Sequence, residues 1–406
     1  MKKLLLVAIS TLALGGCSTV QDWFTDDEEL EIRKLKPIQA EFQAKTLWSR
    51  DVGDGVEDFF SRLRPAVAYN KVYVASREGD VKAFDKVSGK QIWSRDFADD
   101  SQRELLRSWL GYAQHGVSAK ISGGLTVAYE TLYFGTENGY VVALDEATGT
   151  TKWQAKVPGE VLSPPSVDAG VVVVNTGSGA LVALNAADGS QAWISETDVP
   201  PLTLRGVSAP TAAAGGALVG TPAGKLQVNV LENGLVAWEA TIAAPTGATE
   251  LERIVDVDTQ PLVFGANVYV VSYNGALAAI ELRTGRVVWT REYGSYRNLS
   301  IAGNRIFVTD SNSSVFAIDL RNGVELWSNS NLRSRGLTAA TPIGEHIVLG
   351  DKFGFLHWIS QDEGKLVARY AVGDDDTDEA VYVAPIADEQ RLYVQTRDGR
   401  LSVITR

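Results

Sequence analysis

The sequence predicts an all-β fold: an eight-bladed β-propeller of four-stranded antiparallel blades, the last closed by the N-terminal strand. Three observations point to it. The motif Gly-x-(Leu/Val)-x-Ala-(apolar)-Asp-x-x-(Thr/Ser)-Gly-x-x-x-Trp recurs along the chain. Its first slot returns eight times, at intervals of 38 to 60 residues, a period expected of propeller blades. The last copy, from Gly399, stops at Arg406 before any tryptophan, while Leu47-Trp48-Ser49-Arg50-Asp51 near the other end resembles Ile92-Trp93-Ser94-Arg95-Asp96. Glycine slots and tryptophan slots balance only if the chain closes into a ring, which also removes an open sheet edge.

Each slot has a physical role. A β-rich run such as Lys71–Ala75 precedes each first slot. Gly79, Gly139 and Gly275 suit tight turns that need positive φ. A second run follows, and Asp85, Asp145 or Asp319 can then form an Asx-turn that the next glycine completes. The tryptophan marks the outer strand. Pro65, Pro165, Pro210, Pro261, Pro342 and Pro385 mark the first strand, where a missing N–H is tolerated. The slots of Ala83, Ala143, Ala183, Ala279 and Ala317 fit sheets buried on both faces. One copy departs from the pattern: Ala368 occupies the tryptophan slot after Gly364.

The domain organisation reads as a signal peptide over 1–16, a flexible acidic tether over 17–44 and a propeller over 45–406. Lys2-Lys3 and the apolar run Leu4–Leu14 form a secretory signal, too short to span a bilayer as a mature helix. Its end, Leu14-Gly15-Gly16-Cys17, resembles a bacterial lipobox. Cys17 is then the lipid attachment site and, as the only cysteine, leaves no disulfide framework or cysteine-based metal site. Ser18 follows it; by resemblance to Gram-negative lipoproteins this implies the outer membrane. The tether, with Asp26-Asp27-Glu28-Glu29, is polar enough to be mobile. Trp23 and Phe24 within it could touch lipid or be incidental.

Composition excludes several functions. The formal net charge is −12, and loss of Lys2 and Lys3 makes it more negative, so no basic face for nucleic acid is expected. No motif for a metalloprotease, nucleophile elbow or phosphate loop is present. His115, His346 and His357 are scattered, and His357 sits in an apolar strand as a structural residue. Asp256-Val257-Asp258 alone supplies too few oxygens for calcium. No catalytic residue, metal or cofactor is therefore expected.

The repeat resembles the blades of quinoprotein alcohol dehydrogenases, but their vicinal cysteine pair and cap domain have no counterpart here. A closer resemblance covers nearly the whole chain. Leu202–Pro210, Thr246–Glu250, Asp256–Pro261, Gly354–Ile359 and Ser402–Arg406, with the lipobox, resemble the BamB family of lipoprotein propellers of the β-barrel assembly machinery. The stretch Asp99–Gly116 departs from it, with Leu105, Leu106, Trp109 and Leu110 at helical spacing.

The segments Leu202–Arg205 and Asp256–Asp258 each join an outer strand to the next blade's first strand. They should therefore emerge on one face of the ring as neighbours. Leu202, Leu204, Arg205, Asp256 and Asp258 are the candidate partner site, with an apolar centre and charged partners. Arg205 pairing internally with Asp256 is the alternative. The resemblance implies that these positions contact the periplasmic POTRA domains of the barrel-forming subunit. It also implies a lipid-anchored scaffold on the periplasmic face of the outer membrane that helps present unfolded outer-membrane proteins. A quinone-dependent dehydrogenase or a periplasmic glycan-binding lipoprotein are the competing classes.

Overall fold

The computed structural model describes residues 27–98, 118–373 and 379–406. Cys17, the signal peptide, Trp23 and Phe24, and the stretch Asp99–Gly116 lie outside them. Eight four-stranded antiparallel sheets follow one another, as expected for the propeller. Seven are meanders in sequence order. The eighth is Lys45–Asp51, Arg400–Thr405, Arg391–Gln395 and Ile386–Asp388, from outside inwards. The N-terminal strand supplies its outer edge, with Trp48 opposite Val403. In five of the blades the first strand begins just after a proline, at Ala66, Ser166, Thr211, Leu262 and Ile386.

The repeat motif is the lock between blades. Five outer-strand tryptophans lie opposite a third-strand alanine, as Trp93 opposite Ala83 and Trp153 opposite Ala143, while Trp48 and Trp238 face Val403 and Val228. Each ring reaches the turn glycine of the following blade. A Cβ on Gly149 would lie 2.7 Å from the Trp93 ring, and φ there is +70°, so only glycine fits both demands. The Trp93 indole N–H donates to Glu146 O at 2.9 Å, and Trp153 and Trp193 do the same one blade further on. Asp85 shows how the turn is built. Its Oδ1 accepts from the Ser88 N–H and Oγ, both at 2.7 Å, and Gly89 N–H donates to Asp85 O. Those bonds hold the Asp85 carboxyl below its ordinary pKa.

Blade 7 breaks the pattern for a topological reason. Blade 8 has no hairpin between its third and outer strands, because the two chain ends meet there. It therefore offers no turn glycine for a tryptophan to stack on. The large and small partners exchange strands instead: Trp358 stands on the third strand opposite Ala368 on the outer one. Phe42, just before the N-terminal strand, packs edge-on to Trp358 at 5.9 Å and against His346 at 5.5 Å. Arg406 lies over the Phe42 ring.

From Asp27 onward, the stretch expected as a tether lies against the propeller. Asp27–Arg33 is helical. Arg335 Nη1 donates to Ile32 O at 2.7 Å and to Arg33 O at 3.2 Å, where carbonyls at a helix C-terminus lack partners. Glu41 N–H donates to Val367 O on the outer strand of blade 7. Behind this contact lies a buried cluster. Asp351 accepts from Arg335 Nε at 2.6 Å and meets His357 Nε2 at 2.8 Å. His357 is fully buried, in keeping with the structural role read from its apolar strand.

Candidate partner-binding surface

In a meander blade, the turn between the second and third strands shares a face with the connection to the next blade. Loop 197–210 leads into blade 4 and loop 242–261 into blade 5, and both lie on this face. They touch: the Leu204 N–H donates to Asp256 Oδ2 at 2.6 Å. The expected adjacency of the two segments is therefore present.

The five residues divide into two kinds. Leu202 is 42% exposed, Leu204 is half-buried and Arg205 is exposed. Asp256 and Asp258 are buried, at 1% and 4% exposure. They are not the surface carboxylates the sequence reading expected; they work from beneath. Asp256 anchors the Leu204 backbone, and its main-chain carbonyl accepts from Tyr273 N–H. The Asp258 carbonyl accepts from Arg62 Nη1 at 2.9 Å, and its carboxylate fills the space that a side chain at position 206 would need. Burial pushes the Asp256 carboxyl up to about 7, against the opposing Leu204 N–H, with the Asp258 charge raising it further. Burial likewise raises Asp258 to about 6, opposed by Arg62.

Arg205 does not pair with Asp256. Its Nη2 lies 3.2 Å from Glu137 Oε2 and 4.0 Å from Glu160 Oε1. Glu137 sits in the second-to-third-strand turn of blade 2. It is also clamped by Arg77 of blade 1 through Nε and Nη2, at 3.0 and 3.1 Å. Arg77 in turn stacks on Phe59 at 3.6 Å. A chain of contacts thus runs across this face from Phe59 through Arg77 and Glu137 to Arg205. Sequence reasoning missed Phe59, Arg77 and Glu137. Only the matching second-to-third-strand turns of Arg77 and Glu137 could have hinted at them, because Glu137 and Arg205 are 68 positions apart. Val199, Phe59 and Leu251 add exposed apolar surface to the same face. A small cleft of about 140 Å³ opens beside Leu204 and Arg205.

Among the described residues no group of three or more His, Cys, Asp or Glu side chains could hold a metal ion. What the face offers is an arginine on a braced loop, flanked by apolar side chains.

A family model described as outer membrane protein assembly factor BamB matches residues 39–108, 77–329 and 311–406. The chain is 57% identical over 403 residues to the protein of that name from Alteromonas naphthalenivorans, covering 98% of this chain and 95% of the relative. It is 39% identical over 407 residues to the one from Escherichia coli K12, covering all of both. The fold is that of the crystal structure of BamB from Moraxella catarrhalis, with a TM-score of 0.77 at 24% identity over 90% of this chain and all of that one. Quinohemoprotein alcohol dehydrogenase from Comamonas testosteroni shares the fold more distantly, with a TM-score of 0.67 at 13% identity over 89% of this chain and 76% of that one. The chain belongs to the outer membrane protein assembly factor BamB family.

Proposed function

We propose that the protein is a non-enzymatic scaffold in outer-membrane protein assembly, held at the periplasmic face of the outer membrane by lipid on Cys17. It binds the POTRA region of the barrel-forming subunit through the loop face of blades 3 to 5. The observation that carries this reading is the end-to-end match to relatives named as assembly factors.

The geometry says how such a face would work. Leu202 and Leu204 supply apolar contact, and Arg205 supplies a charge already held in position by Glu137. Pre-positioning reduces the side-chain entropy lost on binding. Asp256 and Asp258 act indirectly, by fixing the loop that carries the three contact residues. Unfolded outer-membrane proteins are the further clients, offered to the same assembly site. The distant likeness to quinone-dependent dehydrogenases supports a shared scaffold and no shared chemistry.

Affinity purification of the tagged, lipidated protein from membranes tests the reading. The barrel-forming subunit should co-purify in near-stoichiometric amount. Its absence from a folded, membrane-bound preparation would contradict the proposal. Cys17→Ser should release the protein from membranes of cells lacking that subunit, and retention there would refute the anchor.

A further inference from the structure

The axis of the ring holds a cavity of about 410 Å³. Its walls come from the segments leading into the first strands of blades 1, 3, 4, 6, 7 and 8, which places it at their point of convergence. Arg62 and Arg64 enter it from blade 1, Arg297 with Tyr296 and Asn298 from blade 6, and Tyr382 from blade 8. Among the described residues no Asp or Glu lines it.

The three arginines are poorly compensated. Arg62 Nη1 is used by the Val207 and Asp258 carbonyls, both at 2.9 Å, and the side chain forms no ion pair among the described residues. Arg297 lies against the Tyr296 ring at 4.5 Å. The Arg64 side chain has no hydrogen-bond, ion-pair or ring partner among the described residues. Burial lowers the pKa of all three. At Arg62 the Asp258 charge opposes that shift, while Arg297 and Arg64 add to it, so the three cations sense one another. Arginine nevertheless keeps its charge in proteins. Three positive charges therefore face one cavity inside a chain of net charge −12.

The three arginines are half-buried, and like charges gathered around one cavity repel unless an anion sits among them. Guanidinium forks match the oxygens of carboxylate and phosphate groups, and the cavity volume falls in the range of small-molecule sites. We propose that the axial cavity binds a small anion bearing phosphate or carboxylate groups, with Arg64 and Arg297 as its main ligands and Arg62 beside them. The cavity opens at the same face as the partner loops, with Ala209 of loop 197–210 in its wall, but the proposal does not depend on the partner assignment.

Calorimetric titration and melting of the full mature protein, in detergent, test it. Inorganic phosphate and citrate are compared with sodium chloride at matched ionic strength. At least one of the two should bind saturably at millimolar concentration or below and raise Tm. Binding by phosphate alone assigns a phosphate ligand, and binding by citrate alone a carboxylate ligand. Arg64→Gln and Arg297→Gln should each weaken binding about tenfold or more, the loss of a charged hydrogen bond. Without anion, both variants should melt no lower than the parent, because a repulsive charge is gone. Arg64→Lys keeps the charge without the fork and should fold and bind with intermediate strength. Arg286→Gln, on an exposed turn, should bind like the parent. The proposal is overturned if neither anion binds beyond chloride, or if the folded Arg64→Gln and Arg297→Gln proteins bind as the parent does.

Discussion

Trp48 of the N-terminal strand lies against Gly89 of blade 1, with 2.6 Å between its ring and the point a Cβ on Gly89 would occupy. This is the lock that joins blades 1 to 7 in succession, made here between residues at the seam of the ring. Unlike those of Trp93, Trp153, Trp193, Trp238 and Trp327, the Trp48 indole nitrogen has no acceptor among the described residues. Packing with Phe84 and Val403 and a hydrogen bond from Arg50 Nε to Gly89 O at 2.7 Å hold the seam.

Trp48→Ala should lower stability by about 3–5 kcal/mol, the range for emptying a buried aromatic site. Gly89→Ala should also destabilise, because φ is +65° there and the Trp48 ring occupies the space. Denaturant melts of both variants check this. Parent-like midpoints would mean that the seam is not closed by this pair.

Truncation separates the seam from the segment before it. Removing residues through 26 should leave stability unchanged. Removing them through Lys45 should lower it, because Phe42 is lost from its place against Trp358 and His346. Phe42→Ala alone should cost about 1–3 kcal/mol, less than a fully buried phenylalanine. Equal melting of the parent and the truncation through Lys45 would show that Phe42 does not seal the junction of blades 7 and 8.

Arg335 joins a buried carboxylate to the N-terminal segment. Arg335→Ala strips Asp351 of a charge partner, and breaking a buried pair typically costs about 3–5 kcal/mol. Residues 27–36 should lose hydrogen-exchange protection in the same variant, since Ile32 O and Arg33 O lose their donor. Unchanged exchange there would place the hold on that segment elsewhere.

Asp256 should make stability fall as pH rises. In the unfolded chain its carboxyl ionises near 3.8, and in the folded protein near 7. Between those values the folded state holds a proton that the unfolded state has released, so each step up in pH favours unfolding. The contribution across that window is at most about 4 kcal/mol. Asp256→Asn should flatten this part of the profile and match or exceed the parent in stability above pH 7. Superimposable pH profiles of the two proteins would refute the shift.

The blades were legible because every slot of the repeat has a local duty, from the Asx-turn at Asp85 to the glycine under each tryptophan. Ring closure was legible from the displaced Trp48. The neighbouring positions of loops 197–210 and 242–261 followed from strand order alone. Burial within those loops did not. Asp-x-Asp reads as polar surface until a backbone N–H, here that of Leu204, is found pointing inward at it. The partner of Arg205 was hidden for a different reason, since Glu137 reaches it only through the curvature of the ring. Ala368 looked like a defect in the motif. Opposite Trp358, and with Phe42 above, it is the consequence of a blade that lacks a turn glycine.

The central claim is that the Leu202–Arg205 loop is the partner contact, and the most direct measurement is binding of the barrel-forming subunit by folded loop variants. Arg205→Glu reverses an exposed charge beside exposed Glu160 and buried Glu137, which keeps Arg77 as its partner, so the variant should melt somewhat below the parent while remaining cooperatively folded. Its association should be lost or should dissociate far faster, as expected when a charge complementary to a partner is inverted. Leu202→Ala with Leu204→Ala should weaken the complex without unfolding the protein. Loss of binding with cooperative melting retained is the result this account predicts. Parent-like binding by a well-folded Arg205→Glu protein, and by the double leucine variant, would contradict it.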